Sequence, residues 1–200
     1  MTKQNILAAF TIAAIIIFVK CNENRTFPDN IFKVPNIRRF YTGNTAIWTM
    51  LTTESNISCK VDLVANKSNA SVFFERRYCS GRTWVNETLE GTFIKATVAA
   101  REGALDAILV HPPGVMGTMI EQLLVTDKNR TCGVFKIYSQ RLSVGRNTDA
   151  VYEVRVRNPN NTDIPKKCEN DFSKYSNNRG RKIYFPSCSS SAYNCSILPE

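Results

Sequence analysis

The sequence predicts an all-β fold, a closed up-and-down barrel or a sandwich, and three observations point there. Short apolar runs follow one another between residues 47 and 156, they are rich in Val, Ile, Thr and Phe, and the segments between them hold Asn, Ser, Gly, Pro and Asp. Eight runs can be marked: 47–53, 60–65, 71–78, 89–99, 106–111, 120–126, 133–138 and 150–156. Short strands at this spacing bury their apolar faces by closing on themselves or by stacking as two sheets.

Alternation along the runs separates two faces. In the last run Tyr152, Val154 and Val156 share one face, while Glu153, Arg155 and Arg157 share the other. In the third, Phe74, Arg76 and Tyr78 oppose Phe73, Glu75 and Arg77, so neither face is purely apolar. Helical signals are few. Asp29 can cap a short segment over 30–33 before Pro35, and Pro165 can open a helix over 166–175, after the last strand.

The N-terminus predicts export. Lys3 precedes an apolar stretch over 6–19, which is shorter than the roughly 20 residues that span a bilayer core. We read 1–21 as a signal peptide, removed after Cys21, and 22–200 as a single domain with no membrane attachment. Six cysteines then remain: Cys59, Cys79, Cys132, Cys168, Cys188 and Cys195. An even set in an exported chain reads as three disulfides, with the pairing left open among 15 connectivities. Close Cys or His pairs of the zinc type do not occur, and no metal or cofactor is expected. Asn-x-Ser/Thr triplets at Asn24, Asn56, Asn66, Asn69, Asn86, Asn129, Asn160 and Asn194 are candidates for N-glycosylation, which requires exposed backbone.

The net charge is +9, and loss of Lys3 and Lys20 with the signal leaves +7. The cations are spread along the chain, with short clusters at Arg76-Arg77, Lys166-Lys167 and 179–182. That pattern suits a solvated face, so nucleic acid is not an expected partner. Catalysis finds no support either. His111 is the only histidine and sits before Pro112-Pro113, and no nucleophile elbow, zinc helix or phosphate-binding loop is present. What such a barrel can still do is hold a small molecule in a concave pocket.

The order of several short segments resembles the tick salivary lipocalins, the histamine-binding family. It rests on Ala46-Ile47-Trp48-Thr49, Cys59-Lys60-Val61-Asp62, Phe73-Phe74-Glu75-Arg76-Arg77-Tyr78 and Leu89-Glu90-Gly91-Thr92-Phe93. Asn129-Arg130-Thr131-Cys132-Gly133-Val134-Phe135, Tyr152-Glu153-Val154-Arg155-Val156, Cys168 and Cys188 complete it. The resemblance implies an eight-stranded antiparallel lipocalin barrel with a short N-terminal helical segment and a C-terminal helix. It pairs Cys59 with Cys188 and Cys132 with Cys168, leaving Cys79 for Cys195.

It also implies a secreted, salivary, monomeric protein that sequesters a small host inflammatory mediator, an eicosanoid or fatty acid or an amine such as histamine or serotonin. The alternative is a module that inhibits a host complement or immune protein through its outer surface. The expected ligand contacts are Trp48, Phe73, Glu75, Arg77, Phe93, Glu153 and Arg155, with Trp48 closing the barrel floor. In the family's amine binders an aspartate follows the third cysteine, and an aromatic follows the Glu153 position by two. Here those places hold Gly133 and Arg155. Glu153 and Arg155 then either face the lumen, where the arginine opposes an amine and suits a carboxylate, or form an outward ion pair. Should an amine bind nonetheless, Asp62, Glu75 or Glu90 would have to supply the site.

Overall fold

The computed structural model describes residues 34–98, 103–117, 119–140, 150–160, 162–190 and 195. The signal peptide, the segment over 30–33, Asn24 and Asn194 lie outside the described residues. Eight strands run β1 (Thr45–Thr52), β2 (Ile57–Lys67), β3 (Ser71–Ser80), β4 (Thr83–Ile94), β5 (Ala107–His111), β6 (Met119–Thr126), β7 (Cys132–Ser139) and β8 (Val151–Arg157). Each pairs antiparallel with the next, and β1 pairs with both β8 and β2, which closes the barrel. A two-residue strand, β9 (Arg181–Lys182), adds to β1 from the C-terminal tail. Among the described residues no helix is long and apolar enough to cross a membrane.

The strand β4 starts at Thr83, six residues before its apolar run. The cause is a two-residue hairpin turn at Gly81-Arg82, with φ of 60° at Gly81, which carries β3 straight back into polar residues. Asn86 therefore sits within a strand, yet it is exposed, as are Asn56, Asn66, Asn69, Asn129 and Asn160.

One helix, α1 (Lys166–Ser176), follows β8 and ends where Asn177 turns left-handed, its N–H bonded to Ser173 O. Cys168 and Phe172 are its buried apolar side chains, and they join Val134, Val154 and Val156 on the outside of β7 and β8. Gly180 closes beneath it: a Cβ there would meet the Phe172 ring at 2.6 Å.

Disulfides fasten these parts. They join Cys59 to Cys188, Cys79 to Cys195 and Cys132 to Cys168, with Cα separations of 5.2, 5.6 and 6.3 Å, within the range such bridges span. Two of them hold the tail against β2 and β3, and the third pins α1 to the start of β7.

Inside the barrel, one end is plugged. A 3₁₀ turn at Ile37–Arg39 delivers Ile37, Phe40 and Tyr41 into the interior, where they pack with Val72, Phe74, Phe93, Ile108, Leu123 and Phe135. The turn is held by Ile37 N–H to Leu105 O at 2.9 Å and by Lys67 Nζ to Arg38 O at 2.8 Å. Phe40 meets Phe135 edge-on, with ring centroids 5.2 Å apart.

Candidate functional site: a charged layer beneath an open cavity

Above the packed end, six charged side chains cross the lumen. Lys60 and Asp62 come from β2, Arg76 from β3, Glu121 from β6, and Glu153 and Arg155 from β8, and all six are buried. Three cations face three carboxylates. Arg76 binds Asp62 through two parallel bonds of 2.7 and 2.8 Å, and Glu121 through two more of 2.8 and 3.2 Å. Arg155 donates to Glu153 at 2.7 Å and to Glu121 at 2.5 Å, and Lys60 donates to Glu153 at 2.6 Å. Tyr41 touches this layer from the packed side, its hydroxyl accepting from Arg155 at 3.2 Å. Arg155 lies over the Phe135 ring at 4.5 Å and Arg76 over Phe74 at 5.2 Å.

The layer is electrostatically self-sufficient. Burial by itself raises the Glu121 carboxyl, but Arg155 and Arg76 outweigh it and hold the group well below the usual carboxylate range. For Glu153, burial is likewise overcome by Lys60 and Arg155. Burial disfavours the charge on Arg76 and Arg155, yet the surrounding carboxylates keep both guanidiniums charged. Tyr41 is the opposite case, because burial pushes its phenol far above the ordinary value despite Arg155 nearby.

The other end of the barrel holds a cavity of about 440 Å³. Lys60, Arg76, Glu121 and Glu153 form its floor, and Ile57, Tyr78, Leu89, Val110, Ile137 and Val151 form its walls. The rim carries Glu54 and Glu87 and a loop with exposed Val115 and Met116, with His111 at its start. His111 bonds to Pro112 O at 2.9 Å and Thr92 Oγ1 at 3.3 Å, which fixes its ring as part of the loop. Among the described residues no group of three potential ligands could hold a metal.

A bulge aims the one ammonium of the layer at the cavity. The register of β2 on β3 slips between Ser58 and Val61, and Cys59 has φ of 49°. Ile57 and Lys60, three residues apart, therefore both reach the cavity. Cys59 donates its N–H to Ile183 O in the tail at 2.9 Å and carries the bridge to Cys188.

The structure divides the residues singled out from sequence. Glu153 and Arg155 are in the lumen, and Phe93 is in the packed end. Trp48, Phe73, Glu75 and Arg77 are not in the lumen. Glu75 and Arg77 pair with each other on the outer face at 2.8 Å, Arg77 exposed and Glu75 half-buried, and Phe73 is half-buried on that same outward side. Trp48 does not close the floor: it packs on Tyr184 outside the barrel, 4.9 Å between rings. With Trp84, Val61, Leu63 and Arg77 it lines an outer groove of about 500 Å³ beside the tail. The floor belongs to Phe40 and Tyr41. Gly133 faces the packed end, where a Cβ would meet Leu123 at 2.7 Å and Phe135 at 3.1 Å, so no carboxylate fits there without displacing the plug.

Sequence reasoning missed Lys60, Arg76 and Glu121 as one site. They are far apart in the chain, and the only available signal was a charged residue in the middle of an apolar run, at 60, 62, 76, 121, 153 and 155.

Solved structures with similar folds include Japanin from Rhipicephalus appendiculatus bound to cholesterol (11% identity, TM-score 0.48), covering 72% of this chain and 93% of that one. Per a 4 from cockroaches (13% identity, TM-score 0.49) covers 75% and 88%, and the siderocalin Ex-FABP (9%, 0.45) covers 68% and 85%. Among curated proteins no sequence match was found. The profile of the tick histamine binding protein family matches residues 30–190, and the chain belongs to that family.

Proposed function

We propose that this protein is a secreted carrier that sequesters a small amphipathic host mediator, of eicosanoid, fatty-acid or biogenic-amine type, and does not transform it. The observation that carries the reading is the 440 Å³ cavity, with apolar walls and a floor of hydrogen-bonding charges. Such a space takes an apolar body and orients one polar head, as small-molecule sites do. Rim residues Val115 and Met116, 55% and 90% exposed, offer an apolar approach from solvent.

Calorimetric titration of the purified protein with histamine, serotonin, a leukotriene and a thromboxane analogue tests this directly. A stoichiometric complex with one of them is expected, and no heat from any of them would sink the proposal. Intrinsic fluorescence is a poor readout, because Trp48 and Trp84 line the outer groove and not the cavity. That groove favours a second reading, in which the outer face masks a host complement or immune protein. Pull-down of complement components by the protein, lost on exchange of Trp48 and Trp84, would support it.

A further inference from the structure

The floor of the cavity contains a group that mimics a ligand. Lys60 is the one ammonium of the layer, it borders the cavity, and it docks on Glu153 at 2.6 Å. An amine entering the cavity would seek this carboxylate, since Glu121 is held from two sides by guanidiniums at 2.5 and 2.8 Å. The seat is therefore already filled, by a tethered primary amine at a very high local concentration.

We infer that Lys60 is a built-in occupant of the ammonium seat on Glu153, and that the cavity selects ligands with an acidic, hydrogen-bond-accepting head over amines. This rests on the small-ligand reading above and names the ligand class for the same site. An ammonium has three N–H groups, and Lys60 spends one on Glu153. Two remain for a ligand oxygen, so a carboxylate can be received without breaking the existing pair. Glu153 keeps Arg155 as a second cation at 2.7 Å, so drawing Lys60 toward a ligand does not strand its charge. A free amine instead has to evict Lys60 and then sit beside both Lys60 and Arg155, two like charges in a buried layer. Of the rim carboxylates, Glu87 is exposed and screened, while burial pushes the Glu54 carboxyl up with Lys60 as the main charge opposing it, so an amine at Glu54 would also compete with Lys60.

The test compares the unaltered full-length protein with Lys60→Met, titrated by calorimetry with arachidonate, histamine and serotonin. The unaltered protein is expected to bind arachidonate at least a hundredfold more tightly than either amine. In K60M, arachidonate should weaken at least tenfold and histamine should tighten at least tenfold. Submicromolar histamine binding by the unaltered protein overturns the inference and leaves the small-ligand reading standing, as does a K60M protein whose two affinities are unchanged. Binding of none of the three by the unaltered protein overturns the inference, and the leukotriene and thromboxane titrations then decide the small-ligand reading. If K60M does not fold, Lys60→Arg serves in its place: it keeps the cation and should keep the preference for arachidonate, and a gain of histamine affinity there would count against the seat being occupied.

Discussion

The two ends of the barrel interior solve different problems with the same strands. The closed end buries Phe40, Tyr41, Phe74 and Phe135 around a glycine with no room for a side chain, and nothing can enter. The open end leaves a cavity whose walls are also apolar, but among the described residues no plug fills it. Between them lies the layer of Lys60, Asp62, Arg76, Glu121, Glu153 and Arg155. The lesson is that the charges belong to both ends at once, capping the core below and flooring the cavity above. A wholly apolar interior of this size would have neither a defined floor nor a head-group site.

The strongest way to break this division is to remove the cation that spans it. Arg155→Met leaves Glu121 and Glu153 each short of a partner in a buried layer, and should cost about 3–5 kcal/mol of stability in urea unfolding. Next comes acid. The folded Glu121 and Glu153 have lowered carboxyl pKa values, so their contribution is complete above the unfolded values near pH 4 to 5 and is lost as pH falls below that range. Thermal melts should be flat from pH 6 to 8 in this respect and fall steeply below about pH 4. Tyr41 works at the other extreme. Its raised phenol pKa means stability is present below about pH 10 and declines above it, because the unfolded chain ionises first.

Cavity-making substitutions sharpen the contrast between the ends. Ile108→Ala in the packed end should cost about 2–5 kcal/mol, because its surroundings cannot collapse. Val151→Ala on the cavity wall removes less buried surface, next to space that is already empty, and should cost about 1 kcal/mol. Arg77→Ala, on the outer face, breaks only an exposed pair with Glu75 and should change stability by less than about 0.5 kcal/mol. A large effect of Arg77→Ala on arachidonate binding would contradict the placement of the site in the lumen.

The barrel was legible because strand signals are local: alternation, β-branched residues and turn residues each act over a few positions. In the last strand, alternation also separated Glu153 and Arg155 from Tyr152 and Val154 correctly. It could not say which face is inside. Ordinarily the apolar face turns inward, but here Val154 and Val156 turn outward beneath Phe172 of the helix, and the charged face fills the lumen. The same ambiguity put Phe73, Glu75 and Arg77 on the wrong side of β3, where their neighbours Phe74 and Arg76 face inward. Trp48 misled for another reason. A large aromatic near a barrel's start suits a floor, but Phe40 and Tyr41 had reached that space first, from a turn with no apolar periodicity. The six-charge layer depends on side chains brought together by register, and register is a property of the whole closed sheet.

The bulge at Cys59 and Lys60 has a consequence for the order of assembly. Its Cys59 is bridged to Cys188, 129 residues further on, and hydrogen-bonds to Ile183, whereas Cys132 and Cys168 are only 36 residues apart. Closing the longer loop carries the larger entropy cost, so the helix can be locked to β7 while the bulge still lacks its anchor. The cavity floor is then among the last features to mature, and a chain oxidised at Cys132–Cys168 alone should have its helix docked before its ligand seat is set.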